Sequence, residues 1–416
     1  MDLTFSKSSE NRRLFFKKSI MKKKYIILTA IVVCLHPDLI AQTSDVIDSV
    51  AGTPNSAFTL TIKSQILNEN RKLYIQLPEG YDNEQINYPL LIVLDGEWLF
   101  HLANANQRYY SYDEVTDQNM PRMIVVGIEN TDRDRDYTPT PDSGKEYSFP
   151  TSGGADKFLE FLESELIPIL DSRYRTAPHR CIAGWSFSGL FSTYAGVTKP
   201  DLFNMFLCIS PAIWWDNDLI YEKMETVRFE HPKSFVFTLG SNETGGWVYT
   251  STIRLLDRLM EKSIPNMTVN MISIEGVGHT WGVSSAMNLG LQSLYKEFIP
   301  SGDIEIDNLT DIESYYNGIS KKWGYEVIPP ATVFISLAWN LWGNGEKEQA
   351  VNVLRHAIAM NTNDSPSLFY LGQMLCAQEN LSEGLMYYKM ALSVEMNKGV
   401  PNGVNLNSYQ AGIDKV

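Results

Sequence analysis

The stretch from His179 to Gly196, HRCIAGWSFSGLFSTYAG, decides how this chain is read. An apolar, strand-like run, CIAGW, enters it, and a helix-like run, Phe187 to Val197, leaves it. Between them stand two serines, two residues apart among small neighbours. A serine hydroxyl is a poor nucleophile until a base takes its proton, and it must stand clear of the backbone for a carbonyl to reach it. A sharp strand–turn–helix elbow of pattern G-x-S-x-G supplies that exposure, with small residues two before and two after the serine. Centred on Ser186, the pattern finds Gly184 on one side and Ser188, the next small residue, on the other. Centred on Ser188, it would place Leu190 at the crossing, where a bulky side chain does not fit. Ser186 is therefore the candidate nucleophile, and the amide of Phe187, at the start of the following helix, is placed to donate to an oxyanion.

Outward from the elbow, the chain from about Phe58 to Pro300 alternates short apolar or β-branched runs with longer amphipathic ones. Strands are predicted at Phe58 to Ser64, Lys72 to Leu77, Leu90 to Leu94, Met123 to Ile128, Cys181 to Gly184, Met205 to Ile209, Phe235 to Leu239 and Thr268 to Ile274. Helices are predicted at Ala155 to Leu170, Phe187 to Val197, Thr250 to Glu261 and Ala286 to Phe298. Apolar strands flanked by helical patterns imply a mostly parallel sheet covered on both faces, with the first two strands an antiparallel hairpin at one edge. The fold class is α/β, whose sites gather at the C-terminal ends of the strands.

On such a scaffold an acid and then a histidine follow the elbow serine in the chain. His279, in IEGVGHTWG after the last predicted strand, is the natural base, and His101, after the third strand, also falls within reach of the site. In FVFTLGSNETGGW the candidate acid is Glu243, four residues past Leu239, with Asp257 on the following helix as runner-up. The second oxyanion donor is expected from LIVLDGEWLF, where Gly96 lets the backbone turn so that the amide of Gly96 or Glu97 enters the site and Asp95 fixes the turn. Trp98, Trp185, Trp214, Trp215, Trp247 and Trp281 all fall at or just beyond strand C-termini, which predicts an aromatic-walled cleft around Ser186 suited to a planar or sugar-bearing acyl ester. The loop TDRDRDYTPTPDSGKEY sets Arg133, Arg135 and Lys145 against Asp132, Asp134, Asp136, Asp142 and Glu146. It reads as a solvated loop whose slightly acidic balance argues against a strongly basic pocket.

In this order, YPLLIVLDGEW, VVGIENTDRDRDYTPT, ADKFLEFLESELIPILDSRYRT, RCIAGWSFSGLFSTYAG, PDLFNMFLCISPAIWW and GHTWG resemble the esterase family that includes siderophore (ferric enterobactin) esterases and esterase D-like hydrolases. The similarity covers most of residues 57 to 300. It implies an α/β-hydrolase fold and hydrolysis of an acyl ester by a serine, an acid and a histidine, with no metal or cofactor. Ser186 and His279 match the nucleophile and base, and Glu243 falls in the acid loop. Ser188 departs from the glycine usual in the family, a change expected to tighten the helix–strand crossing.

At the N-terminus, Met21-Lys22-Lys23-Lys24, the apolar run Tyr25 to Leu35 and then Leu39-Ile40-Ala41 read as a secretory signal cleaved near Ala41, preceded by an upstream extension at 1–20. A run of about eleven apolar residues is too short to span a bilayer, so export to a periplasm or the exterior is expected, with no transmembrane span in the mature chain. Losing residues 1–41 removes eight basic and three acidic residues and takes the formal charge from −14 to −19, which disfavours nucleic acid as a partner. Cys181, Cys208 and Cys376 are odd in number, lie in apolar segments and read as buried free thiols.

The hydrolase part is thus placed at residues 42–300, followed by the acidic linker SGDIEIDNLTD at 301–311. In residues 312–416, Leu337, Leu341, Ala350, Leu354 and Ala357 recur 34 residues later as Leu371, Leu375, Gly384, Tyr388 and Ala391. That period resembles tetratricopeptide repeats, with the helix around Ile312 to Trp323 joining the stack. The leading function is an exported serine hydrolase acting on a small-molecule carboxylic ester through an acyl-enzyme. Two alternatives stay open: a non-catalytic module whose repeats capture a protein partner, and a peptidase, since the same machinery cleaves amides.

Overall fold

The computed structural model describes residues 45–50, 57–82, 85–111, 118–142, 148–216, 219–398 and 401–416. The expected signal segment, and Lys145 and Glu146 of the charged loop, lie outside the described residues. Among these, one sheet is built from β1 (Asp45–Val50), β2 (Phe58–Ser64), β3 (Glu69–Gln76), β4 (Tyr88–Val93), β5 (Ile124–Ile128), β6 (Thr176–Trp185), β7 (Met205–Ile209), β8 (Lys233–Gly240) and β9 (Met267–Ile274). Their spatial order is β1-β2-β3-β5-β4-β6-β7-β8-β9. The pairs β1–β2, β2–β3 and β3–β5 are antiparallel, and every pair from β5 to β9 is parallel. The expected β2–β3 hairpin is present, but β1 takes the outer edge beside it.

The middle of the sheet belongs to strands that are apolar on both sides. Every residue of β4, β5 and β7 is buried, as a parallel sheet sandwiched between helical layers requires. Alternate side chains feed two cores. Leu90, Ile92 and Leu94 share one with Phe158, Leu162, Phe191 and Leu255. Leu91 and Val93 share the other with Leu99, Phe100, Met287 and Leu291.

The first face is covered by α2 (Arg133–Tyr137), α3 (Ala155–Phe161), α4 (Ile167–Arg173), α5 (Phe187–Thr198), α6 (Leu219–Thr226) and α7 (Trp247–Lys262), and the second by α1 (Gly96–Ser111) and α8 (Val283–Tyr295). Three of these, α1, α2 and α6, lie outside the helices predicted from sequence, and α2 is only five residues long. The predicted helix Ala155 to Leu170 is α3 and α4 joined by a π-helical turn, Leu162–Leu166. That turn aims buried Glu165 at the Ser64 hydroxyl (2.5 Å) and the amides of Gln65 (2.8 Å) and Ile66 (3.1 Å).

Beyond Pro300 a loop leads to Asn308, which caps α9 (Leu309–Trp323), and α10 (Ala331–Gly343), α11 (Lys347–Met360), α12 (Ser365–Ala377), α13 (Leu381–Met396) and α14 (Gly403–Lys415) follow. The starts of α10 and α12, and those of α11 and α13, are 34 residues apart. The ten repeated positions are all buried. A side chain on Gly372 would meet the Gly384 carbonyl at 2.9 Å, so small residues do mark the crossing of α12 and α13. These helices are not independently cored. The second apolar core runs from Leu291 and Phe298 through Ile312 and Trp323 to Phe334, Leu354 and Leu371.

At the N-terminal end of the sheet, His179 of β6 stacks on Trp323 with ring centroids 5.2 Å apart, and its Nδ1 lies 3.2 Å from the Trp323 carbonyl oxygen. Burial pushes this imidazole down to about 4, so it packs neutral. Cys181 and Cys208 are buried free thiols, whereas Cys376 is partly exposed. Among the described residues no helix is long and apolar enough to cross a membrane.

Candidate active site

β6 ends at Trp185 and α5 begins at Phe187, so Ser186 alone makes the turn, at φ 61° and ψ −113°. A non-glycine residue persists in that region only when its surroundings over-determine it. Here the Ser186 amide donates to Ile209 O at 2.9 Å, and its carbonyl accepts from Leu190 at 2.8 Å and Ala212 at 3.0 Å. Gly184 is obligatory, because a Cβ there would lie 2.3 Å from the Ser188 carbonyl oxygen. The helix side of the crossing is Gly189, where a Cβ would stand 3.0 Å from Ile209 O and 3.1 Å from Gly184 O. The expectation that Ser188 crowds this crossing is therefore corrected. Its side chain turns away, fully buried, with Oγ accepting from the Trp185 amide at 2.6 Å and lying 2.6 Å from Asp95 Oδ2.

His279 and Glu243 come together across the ends of β9 and β8, with Glu243 Oε2 2.8 Å from His279 Nδ1. The other carboxylate oxygen accepts from the Ser210 hydroxyl (2.7 Å) and the Gly240 amide (2.8 Å). Burial raises the Glu243 carboxyl, but these three hydrogen bonds outweigh it and hold the group below the usual carboxylate range. With Nδ1 committed to Glu243, Nε2 is the basic nitrogen of His279. The same loop is fastened to the elbow. Trp185 Nε1 donates to the His279 carbonyl at 3.0 Å, and the two rings lie 5.3 Å apart. The alternatives are elsewhere: Asp257 is exposed on α7, and His101 is exposed on α1.

Gly96 and Glu97 open α1 at the C-terminal end of β4, the strand beside β6. The turn expected at Gly96 is corrected: Asp95 makes it, at φ 53°. Gly96 is needed for contact, since a Cβ there would lie 2.6 Å from Ile128 N of β5. Asp95 is fully buried and holds Arg133 with both oxygens, at 2.7 Å from Nε and 2.9 Å from Nη2, while also accepting from Asn130 Nδ2 at 2.8 Å. Arg133 Nη2 donates in addition to Trp185 O at 2.9 Å, and the guanidinium lies over the rings of Trp98, Trp185 and Phe187. Part of the loop read as solvated is thus structural. Arg135 bridges Glu69 and Asp136, the buried Asp136 also binds the buried Arg71, and Asp132 caps α2. Sequence reasoning missed Ser210, Arg133 and the role of Asp95. Ser210 lies within the quoted segment PDLFNMFLCISPAIWW, but no local signal pairs it with Glu243.

Of the six tryptophans, Trp98 (56%), Trp247 (47%) and Trp281 (87%) are exposed, and Trp185 and Trp214 are half-buried. Trp215 is corrected to a core position: 4% exposed, it packs against Phe149 and Phe187, with Nε1 on Thr140 Oγ1 at 3.1 Å.

Residues 64–261 match the family described as "Putative esterase". The chain is 28% identical over 152 residues to the uncharacterized protein YbbA of Bacillus subtilis, spanning 36% of this chain and 59% of that one. It is 27% identical over 259 residues to the ferri-bacillibactin esterase BesA of Bacillus subtilis, spanning 56% and 89%. An IroE-like serine hydrolase from Shewanella oneidensis superimposes with a TM-score of 0.63 at 26% identity, over 72% of this chain and 99% of the other. The elbow, the sheet order and these likenesses converge: the chain has the α/β-hydrolase fold, residues 64–261 of it resemble the esterase family, and a series of helices follows at the C-terminus.

Proposed function

We propose that this chain is an exported serine hydrolase that cleaves carboxylic esters through an acyl-enzyme. The observation that carries the reading is the Glu243–His279 pair, fastened through Trp185 to a strained elbow serine. Ser186 Oγ attacks the ester carbonyl while His279 Nε2 takes its proton, and Glu243 holds the ring and stabilises the imidazolium. The amides of Phe187 and of Gly96 or Glu97 bind the oxyanion. The imidazolium returns its proton to the leaving alcohol; water, giving a proton to His279 Nε2, then attacks the acyl carbon, and the acid leaves as that proton returns to Ser186 Oγ.

The likeness to the ferri-bacillibactin esterase makes a siderophore ester the first natural substrate class to assay, and the exposed tryptophans favour an acyl or alcohol group with a flat face. Export rests on the pattern at 21–41, and N-terminal sequencing of the secreted protein tests it. Residues 312–416 are read as tetratricopeptide-like, supported by the 34-residue spacing of their helix pairs. The deciding experiment is intact-mass analysis after treatment with a fluorophosphonate. Labelling of wild type and of Ser188→Ala, with none in Ser186→Ala, is the expected result. A folded wild type that takes no label refutes the reading.

A further inference from the structure

We infer that Ser188 is a positioning residue, whose hydroxyl ties the elbow to Asp95 and so sets the spacing between the two halves of the oxyanion hole. The inference rests on the serine-esterase reading above. One donor, Phe187 N, immediately precedes Ser188 in the chain, and the others, Gly96 N and Glu97 N, immediately follow Asp95. They leave from neighbouring strands. The last paired residues of that ladder are Val93 and Ala183, with Leu94 N donating to Ala183 O at 2.9 Å. Past this point the two segments enter separate helices, and each passes through a positive-φ residue, Asp95 at 53° and Ser186 at 61°. The 2.6 Å contact of Ser188 Oγ with Asp95 Oδ2 is a direct tie between them beyond the sheet.

Both ends of that tie are anchored. Ser188 Oγ accepts from the Trp185 amide and donates its proton to Asp95. Asp95 is held by Arg133 and Asn130, and Arg133 returns to the elbow through Trp185 O. Because Ser188 is fully buried, its hydroxyl acts through the backbone around it and not on substrate. A glycine at this position would supply none of these bonds. Oxyanion donors work by being fixed before charge develops, and a shift of about 1 Å at a reacting centre costs roughly a hundredfold in rate.

The test compares wild type with Ser188→Gly and Ser188→Ala, using p-nitrophenyl butyrate as substrate, an aryl boronic acid as tetrahedral analogue and butyrate as product. Ser188→Gly creates no steric conflict, so it keeps the test informative if Ser188→Ala folds poorly. The expected result is a fall in kcat of about 10- to 100-fold with KM within about twofold. The inhibition constant of the boronate should rise by the same factor as kcat/KM falls, while that of butyrate stays unchanged and fluorophosphonate still labels Ser186. A role in stability alone would lower Tm without separating boronate from butyrate. Ser188→Gly with kcat/KM and boronate affinity within about twofold of wild type overturns the inference, as does equal loss of boronate and butyrate binding. A wild type that takes no fluorophosphonate instead overturns the esterase reading, and this inference with it.

Discussion

Oε2 of Glu243 lies 2.8 Å from Nδ1 of His279, and the same carboxylate is fixed from behind by Ser210 and the Gly240 amide. A carboxylate placed this way selects the histidine tautomer and offsets the charge the ring gains during attack. Glu243→Gln keeps the shape and removes the charge, so kcat/KM should fall by about 10³- to 10⁴-fold with little change in KM. Steady-state hydrolysis of a p-nitrophenyl ester measures it, and a loss below about tenfold would assign Glu243 a purely structural part.

Gly184 and Ser188 O face each other across the elbow so closely that no side chain fits between them. Gly184→Ala would place a methyl 2.3 Å from a backbone oxygen that cannot step aside. The strand and helix must then separate, carrying Ser186 and the Phe187 amide with them. Fluorophosphonate labelling should drop by at least about 100-fold, as expected for a misplacement near 1 Å, with a lower Tm in the same sample. Retained labelling would show that the crossing is softer than its geometry implies.

His179 links acidity to stability. Burial against Trp323 holds its folded pKa at about 4, below the value of about 6.5 for an unfolded histidine. The unfolded chain therefore takes up the proton first. The stability contributed by neutral His179 is complete above pH 6.5 and is lost as pH falls from 6.5 towards 4, to a total of about 3 kcal/mol. Urea unfolding between pH 7 and 5 should show this loss in wild type and a flatter profile in His179→Phe. Parallel profiles would refute the assignment.

The second core passes without a break from α8 into α9 and α10. A chain ending at Pro300 would strip Trp323 from His179, Tyr295 and Phe298, and Tyr316 from Phe298, exposing an apolar patch of the kind that drives association. Such a truncation is expected to be largely insoluble, or to show a marked fall in Tm if recovered. A soluble monomer of 42–300 with undiminished fluorophosphonate labelling would show that the helices are accessory.

The local grammar of the sequence was enough for the elbow, the parallel strands and the 34-residue helical period. Each is written in neighbouring residues: Gly184 and Ser186 around one turn, the wholly apolar runs of β4 and β7, the small residues at Ala350 and Gly384. His279 and Glu243 could be nominated because chain order on this scaffold restricts where a base and an acid stand. Tertiary structure decided the rest. Ser188 meets Asp95 across 93 residues and Arg133 meets Asp95 across 38, so no pattern of charge along the chain separates the pair of buried Asp95 and half-buried Arg133 from a solvated loop. The same holds for Trp215, whose burial depends on Phe149 and Phe187 arriving from other elements, and for the joining of the helices to the sheet through His179 and Trp323. Hydropathy and turn propensity act over a few residues, whereas the partner of a buried polar group is chosen by proximity in space, which exists only once the chain has folded.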